Sequence, residues 1–285
     1  MKRRFGALLA LVVLLLVSFP GMSVAENIDP RIRDFVERVH NKWGLDLNPM
    51  DYVVLEDSRG TSITEKSSSS LQVRETAASS GGEVIEYQSS LEISDKSGEH
   101  AIAQEPVWKA PRCDARALKT WEGLHIAWLD FCTQWGNMDY AGDPLNHHVV
   151  FRGWLTCRST QNFYAVTACG GGMHRAGPSV WNDWSPKSDL DLPTCRSETL
   201  SVTVGPVSAS TSYNACERQD MEKGEKVEFM NTWRGKARAS DRESAFMVAF
   251  HQPKPNSISL YSRTTFEAGI CRAIGLDPCA DVTPV

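Results

Sequence analysis

The chain has 285 residues and a formal net charge of −5, from 30 basic and 35 acidic side chains. That balance excludes nucleic acid as a partner, because phosphate backbones call for clustered Lys and Arg. All eight cysteines lie between Cys113 and Cys279, an even set that points to disulfides rather than to reactive thiols.

Residues 1–25 read as a secretory signal peptide. Lys2, Arg3 and Arg4 form a basic start, Leu8 to Val17 an apolar core, and Ser23-Val24-Ala25 a cleavage site before Glu26. The apolar run is too short for a stop-transfer helix, so no membrane insertion is expected after cleavage. No cysteine follows the cleavage point, which argues against a lipid anchor. The mature chain is then 260 residues (285 − 25) with a net charge of −8 (−5 − 3), a secreted, extracellular protein.

Residues 26–50 form an N-terminal helical segment. Asp29 suits the N-cap and Pro30 the first helical position. Ile32, Phe35, Val36, Val39 and Trp43 fall on one stripe, and Gly44 ends it. Residues 51–107 change character. The serine run at 67–70 and Ser79-Ser80-Gly81-Gly82 give a Ser/Glu-rich linker, largely disordered, with marginal strands at 84–87 and 91–93.

From 108 to 285 the chain is rich in cysteine and tryptophan. Short β-type runs alternate with turn signals: 124–131, 149–157, 163–169, 199–204, 210–216, 227–233, 245–250 and 258–261. The pattern predicts a mostly-β domain, an antiparallel sandwich or barrel of about eight short strands with four disulfides. Ala245 to Phe250 is apolar on both faces, as a strand covered on both sides requires. Phe266, Ile270 and Ile274 recur at helical spacing before Gly275, which predicts a short C-terminal helix.

The stretch from His147 to His174 reads as a central hairpin. A turn at Thr160-Gln161 puts Cys157 opposite Tyr164, so Cys157 and Cys169 are expected to bond to other strands. A turn at Gly205-Pro206 makes opposite residues sum to 411 and faces Cys195 with Cys216. That bridge would close 22 residues (195 to 216) and stabilise by about 3 kcal/mol. Cys271 with Cys279 is a sterically allowed pair, and Cys113 and Cys132 complete the set.

Few chemical motifs are complete. No C-x-x-C or helical histidine pair is present, so no metal site and no cofactor is expected. Gly177-Pro178-Ser179-Val180-Trp181 lacks the second glycine of a nucleophile elbow. Asp183, Asp189 and Asp191 match no calcium loop. His147 and His148 open the hairpin but, as neighbours in a strand, face opposite ways. Gly170-Gly171-Gly172 before Met173 and His174 permits a sharp turn or an oxyanion loop with His174 as acid or base. The weak catalytic candidates are therefore His174, His147 and His148. Trp181, Asp183 and Trp184 form a sugar-platform candidate, two rings flanking a carboxylate. Arg234 to Arg238 with Arg242 is a basic loop between strands.

These observations favour a secreted, non-catalytic binding module for an extracellular protein or cell-surface glycan. An exported hydrolase with a His/carboxylate site near the triple glycine is the alternative. A structural exported protein without a ligand is the third reading.

Overall fold

The computed structural model describes residues 28–56, 60–66, 71–73, 83–94, 105–119, 125–160, 164–174, 179–215, 218–223, 228–234, 241–254 and 257–272. Helix α1 (Pro30–Trp43) comes first. The strands follow in order: β1 (Tyr52–Glu56), β2 (Gly60–Glu65), β3 (Leu71–Val73), β4 (Glu83–Ser94), β5 (Val107–Trp108), β6 (Arg112–Lys119), β7 (His125–Asn137), β8 (Asn146–Ser159) and β9 (Tyr164–His174). Then come β10 (Val180–Ser185), β11 (Leu190–Asp191), β12 (Arg196–Val204), β13 (Val207–Ala215), β14 (Arg218–Lys223), β15 (Glu228–Arg234), β16 (Asp241–Pro253) and β17 (Ser257–Arg272).

A first, eight-stranded sheet runs β1-β2-β6-β7-β8-β16-β10, with β5 paired to β7. A second, seven-stranded sheet runs β11-β14-β15-β9-β17-β4-β3, and β12 with β13 makes a separate ribbon. Both sheets are open, so the expected sandwich holds and the barrel does not.

The first sheet is the middle layer. Alternation along β8 sends Val149, Phe151, Leu155 and Cys157 to one face, where they meet Cys169 and Met173 of β9. It sends Val150 and Trp154 to the other, where α1 and the ribbon cover them. Ala245 to Phe250 lies in β16 between β8 and β10, and none of its residues is more than 3% exposed. A strand apolar on both faces is therefore covered on both, as its sequence predicts. Across from it, a Cβ on Gly153 would sit 2.7 Å from the Phe246 ring, so the absence of a side chain lets that ring lie flat over β8.

Helix α1 starts and stops where its sequence dictates. The Asp29 carboxylate accepts from the Arg31 N–H, and Gly44 takes the left-handed conformation at φ 65°. Ile32, Phe35 and Val39 are buried, and Phe35 packs edge-on against Tyr52 at 5.5 Å. Burying a phenylalanine contributes about 2 kcal/mol. Arg38 then fixes the helix on the sheet, donating through Nε (2.8 Å) and Nη2 (2.9 Å) to the buried Asp130 carboxylate of β7.

Several expectations are corrected. Residues 52–56 and 60–65, expected within the linker, form β1 and β2, joined to β6. Buried Tyr52 and Ile63 anchor them beneath α1. The C-terminal helix is replaced over Phe266 and Ile270 by β17, which pairs with β9 and β4; Ile274 lies outside the described residues. Backbone pairing on both sides overrides the local spacing of apolar residues.

The stretch His147–His174 is not a hairpin. Its two strands belong to different sheets, β8 pairing with β7 and β16, and β9 with β15 and β17. Cys157 and Cys169 are consequently bonded to each other, with Cα atoms 5.8 Å apart. Register arithmetic for a hairpin does not apply to strands that face each other across a core. Cys113 and Cys132 are direct partners on β6 and β7 and form a second disulfide. The ribbon keeps the expected register, from Arg196 opposite Ala215 to Val204 opposite Val207, around Gly205 at φ 55°. Cys195 is disulfide-bonded. Cys216 and Cys279 lie outside the described residues, as does the side chain of Cys271 and the basic loop at 235–240.

Candidate functional site

The histidine pair sits at the start of β8, under the loop from Met138 to Leu145. His147 Nδ1 donates to Asp139 Oδ2 at 2.8 Å, and His148 Nε2 donates to Asp143 Oδ2 at 3.0 Å. The two imidazoles serve separate carboxylates because adjacent strand residues face apart. Asp139 also accepts from the His148 backbone N–H at 2.6 Å, and Lys254 Nζ lies 3.7 Å from it. His251, opposite His148 on β16, stands 5.7 Å from it ring to ring and donates through Nδ1 to Asn182 at 2.7 Å.

Both imidazoles are buried. His147 is 1% and His148 2% exposed. Burial holds the His148 pKa below the usual histidine value, and the Asn146 amide, with His148, holds Asp143 below the usual carboxylate range. A neutral imidazole hydrogen-bonded to a carboxylate has the pairing of a general base. Here it ties the loop to the sheet, and its ring is closed to a substrate.

The triple glycine is not a turn. Gly170, Gly171 and Gly172 lie in the middle of β9, paired on one side with Thr232, Asn231 and Met230 and on the other with Glu267, Phe266 and Thr265. Their peptide groups belong to two ladders, which removes the oxyanion-loop reading. His174 closes β9 opposite Glu228 and Arg263. It lies on the second sheet, whereas His147 and His148 lie on the first.

Trp181, Asp183 and Trp184 are on β10, the edge strand of the first sheet. A bulge between Trp181 and Asp183 resets the alternation, so Trp181 opposes Phe250 and Trp184 opposes Val248. Both indoles are half-buried against the sandwich core, Trp181 edge-on to Phe250 at 5.9 Å. Asp183 turns to the other face, accepting from the Thr203 N–H of the ribbon at 2.9 Å and pairing with Lys187. The three residues thus brace the edge of the sandwich rather than present a common surface.

A different group of residues meets on the helix-bearing face. Arg152 of β8 lies between two indoles, its guanidinium carbon 3.9 Å from the Trp108 ring and 4.7 Å from the Trp154 ring. Trp43 of α1 stacks beyond Trp154 at 6.5 Å. Gln134 Oε1 accepts from Arg152 Nε at 3.0 Å and from Nη2 at 2.5 Å. Burial lowers the Arg152 pKa to about 10. Beside Trp43, a cleft of about 170 Å³ opens between helix and sheet, lined by Arg38, Lys42, Asp130 and Arg158 among others. The sequence signal for this face is a charged residue, Arg152, inside the otherwise apolar run from Val149 to Leu155. Its partners Trp108 and Gln134 come from other strands, and no spacing rule joins them.

Among the described residues no group of three or more His, Cys, Asp or Glu is placed to hold a metal ion, and no helix is long and apolar enough to cross a membrane. Compared with known proteins, the chain matches no family model and no curated protein.

Proposed function

We propose that this chain is a secreted recognition module, not an enzyme, whose ligand is an extracellular glycan or protein met on the helix-bearing face. One contrast carries the reading. The imidazoles that catalysis would use are buried, while the half-buried Trp43 and Trp108 indoles, guanidiniums and a cleft gather on the face of α1. Rigid aromatic and arginine side chains are what recognition surfaces concentrate. The Cys113–Cys132 disulfide ties β6 to β7 within the core beneath that face.

The test is a glycan array and a cell-surface binding assay on the purified mature chain, alongside a panel of esterase, peptidase and glycosidase substrates. Saturable binding without turnover is expected. Turnover that His147→Gln or His148→Gln abolishes would replace this reading with the hydrolase one, which the two His–Asp contacts favour.

A further inference from the structure

Two half-buried cations on the α1 face meet acids. Arg38 has Asp130, and Lys42 Nζ lies 2.8 Å from Glu243. Arg152 meets only neutral groups among the described residues: the amide oxygen of Gln134 and the faces of Trp108 and Trp154. Withdrawing a guanidinium from water costs free energy that cation–π contact returns only in part. A methionine would fill the slot between the indoles without that cost.

The guanidinium is also aimed. Gln134 cannot turn its amide round, because its Nε2 donates to the Lys109 carbonyl at 2.7 Å. Its oxygen therefore faces Arg152, and the two indoles fix the guanidinium plane. Nε and Nη2 are engaged. Nη1 has no hydrogen-bond partner among the described residues and is not fully closed from solvent. The edge of the slot is β5, where the half-buried Trp108 shares its face with Pro106 over Gly136 of β7.

We infer that Arg152 is the anchor of an acidic-glycan site: its Nη1 edge takes the carboxylate or sulfate of a charged sugar, with the Trp108 indole as the apolar lip. This deepens the recognition reading and rests on it. An oxyanion at Nη1 supplies a counter-charge that no described residue supplies, in a place where water is already partly excluded, so the contact is stronger than at an open surface. The planar fork, fixed in advance, limits the ordering that binding must add. Indole faces and edges suit the C–H surfaces of sugar rings more than they suit a bare inorganic ion.

The experiment is a calorimetric or fluorescence titration of the mature chain with oligosaccharides of hyaluronan and polygalacturonate (carboxylate arms), heparin (the sulfated arm), and cellulose and chitin (neutral arms). Binding of a charged arm over the neutral ones is expected, weakening as salt rises. Arg152→Met should lower that affinity about 10- to 100-fold, the range for one charge-assisted hydrogen bond, and Arg152→Lys by less. Circular dichroism checks that each variant is folded. If Arg152→Met does not fold, the wild-type salt dependence and competition by free glucuronate or sulfate decide. Equal binding of neutral and charged arms, or charged binding untouched in Arg152→Met or by salt, overturns the anchor and leaves the module reading standing. Silence on every glycan also overturns it, and the module reading then depends on the cell-surface protein assay alone.

Discussion

Cys157 of β8 and Cys169 of β9 join the two sheets through the middle of the sandwich, both with 0% exposure. The bridge closes a segment in which the chain leaves one sheet and enters the other, with a sequence separation of 12. In the loop-entropy view a closed loop of that size stabilises by about 3 kcal/mol. Replacing both cysteines with alanine should lower the unfolding free energy by about that amount in urea titration. Peptide mapping of the unreduced protein should recover Cys157 linked to Cys169, Cys113 to Cys132, and Cys195 to Cys216. A Cys157 peptide linked anywhere else would refute the sheet assignment.

The Arg38–Asp130 pair should behave as the attachment of α1. Asp130 is buried, so Arg38→Met leaves a carboxylate without its guanidinium in a partly dry site. A loss of about 2 kcal/mol is expected, below the range for fully buried pairs because Arg38 is itself partly exposed. The double variant Arg38→Met/Asp130→Leu should recover much of the loss, which a thermodynamic cycle measures directly. Additive losses would mean that the pair contributes little to holding the helix.

Gly153 and Phe246 form a size constraint. A methyl group at 153 must displace the Phe246 ring, which is 1% exposed and has little room to move. Gly153→Ala should destabilise by about 1–3 kcal/mol, as overpacking does. Phe246→Leu in the same chain should relieve part of that, so the two changes together should cost less than their sum.

Acidification should loosen the His148 corner. The folded pKa of His148 lies below its ordinary value, so its contribution is fully present above about pH 6.5 and is lost as pH falls through the lower folded value. Asp143 has the same sign in a more acidic window, present above the ordinary carboxylate value and lost below it. His148→Gln should therefore flatten the upper part of the stability–pH curve and leave the lower part. Denaturation midpoints measured across pH 4 to 8 (an interval of about four units) would show this. Parallel curves for wild type and variant would rule it out.

Some features are legible because they depend on neighbours in sequence. Asp29, Pro30 and Gly44 bound α1 through contacts within a few residues. The ribbon register follows from one turn at Gly205-Pro206, and the double-sided burial of β16 from its own apolar residues. His147 and His148 diverge because strand geometry alone demands it.

Other features depend on which strand the chain meets next. Gly170-Gly171-Gly172 looks like a turn in isolation and becomes sheet centre only because β15 and β17 arrive on either side. Residues 52–56 and 60–65 look like linker until α1 gives Tyr52 and Ile63 something to pack on. A single bulge in β10 turned Trp181 and Trp184 from a surface pair into core braces.

Periodicity, capping and turn chemistry along the chain encode the β class, the helix and its limits, and the ribbon. Tertiary contacts alone bring Cys157 to Cys169, bond the buried histidines to Asp139 and Asp143, and set Arg152 between Trp108 and Trp154 with no acid beside it among the described residues. Those are contacts between strands or across a loop, and their energies depend on burial and distance, which no spacing along the chain encodes.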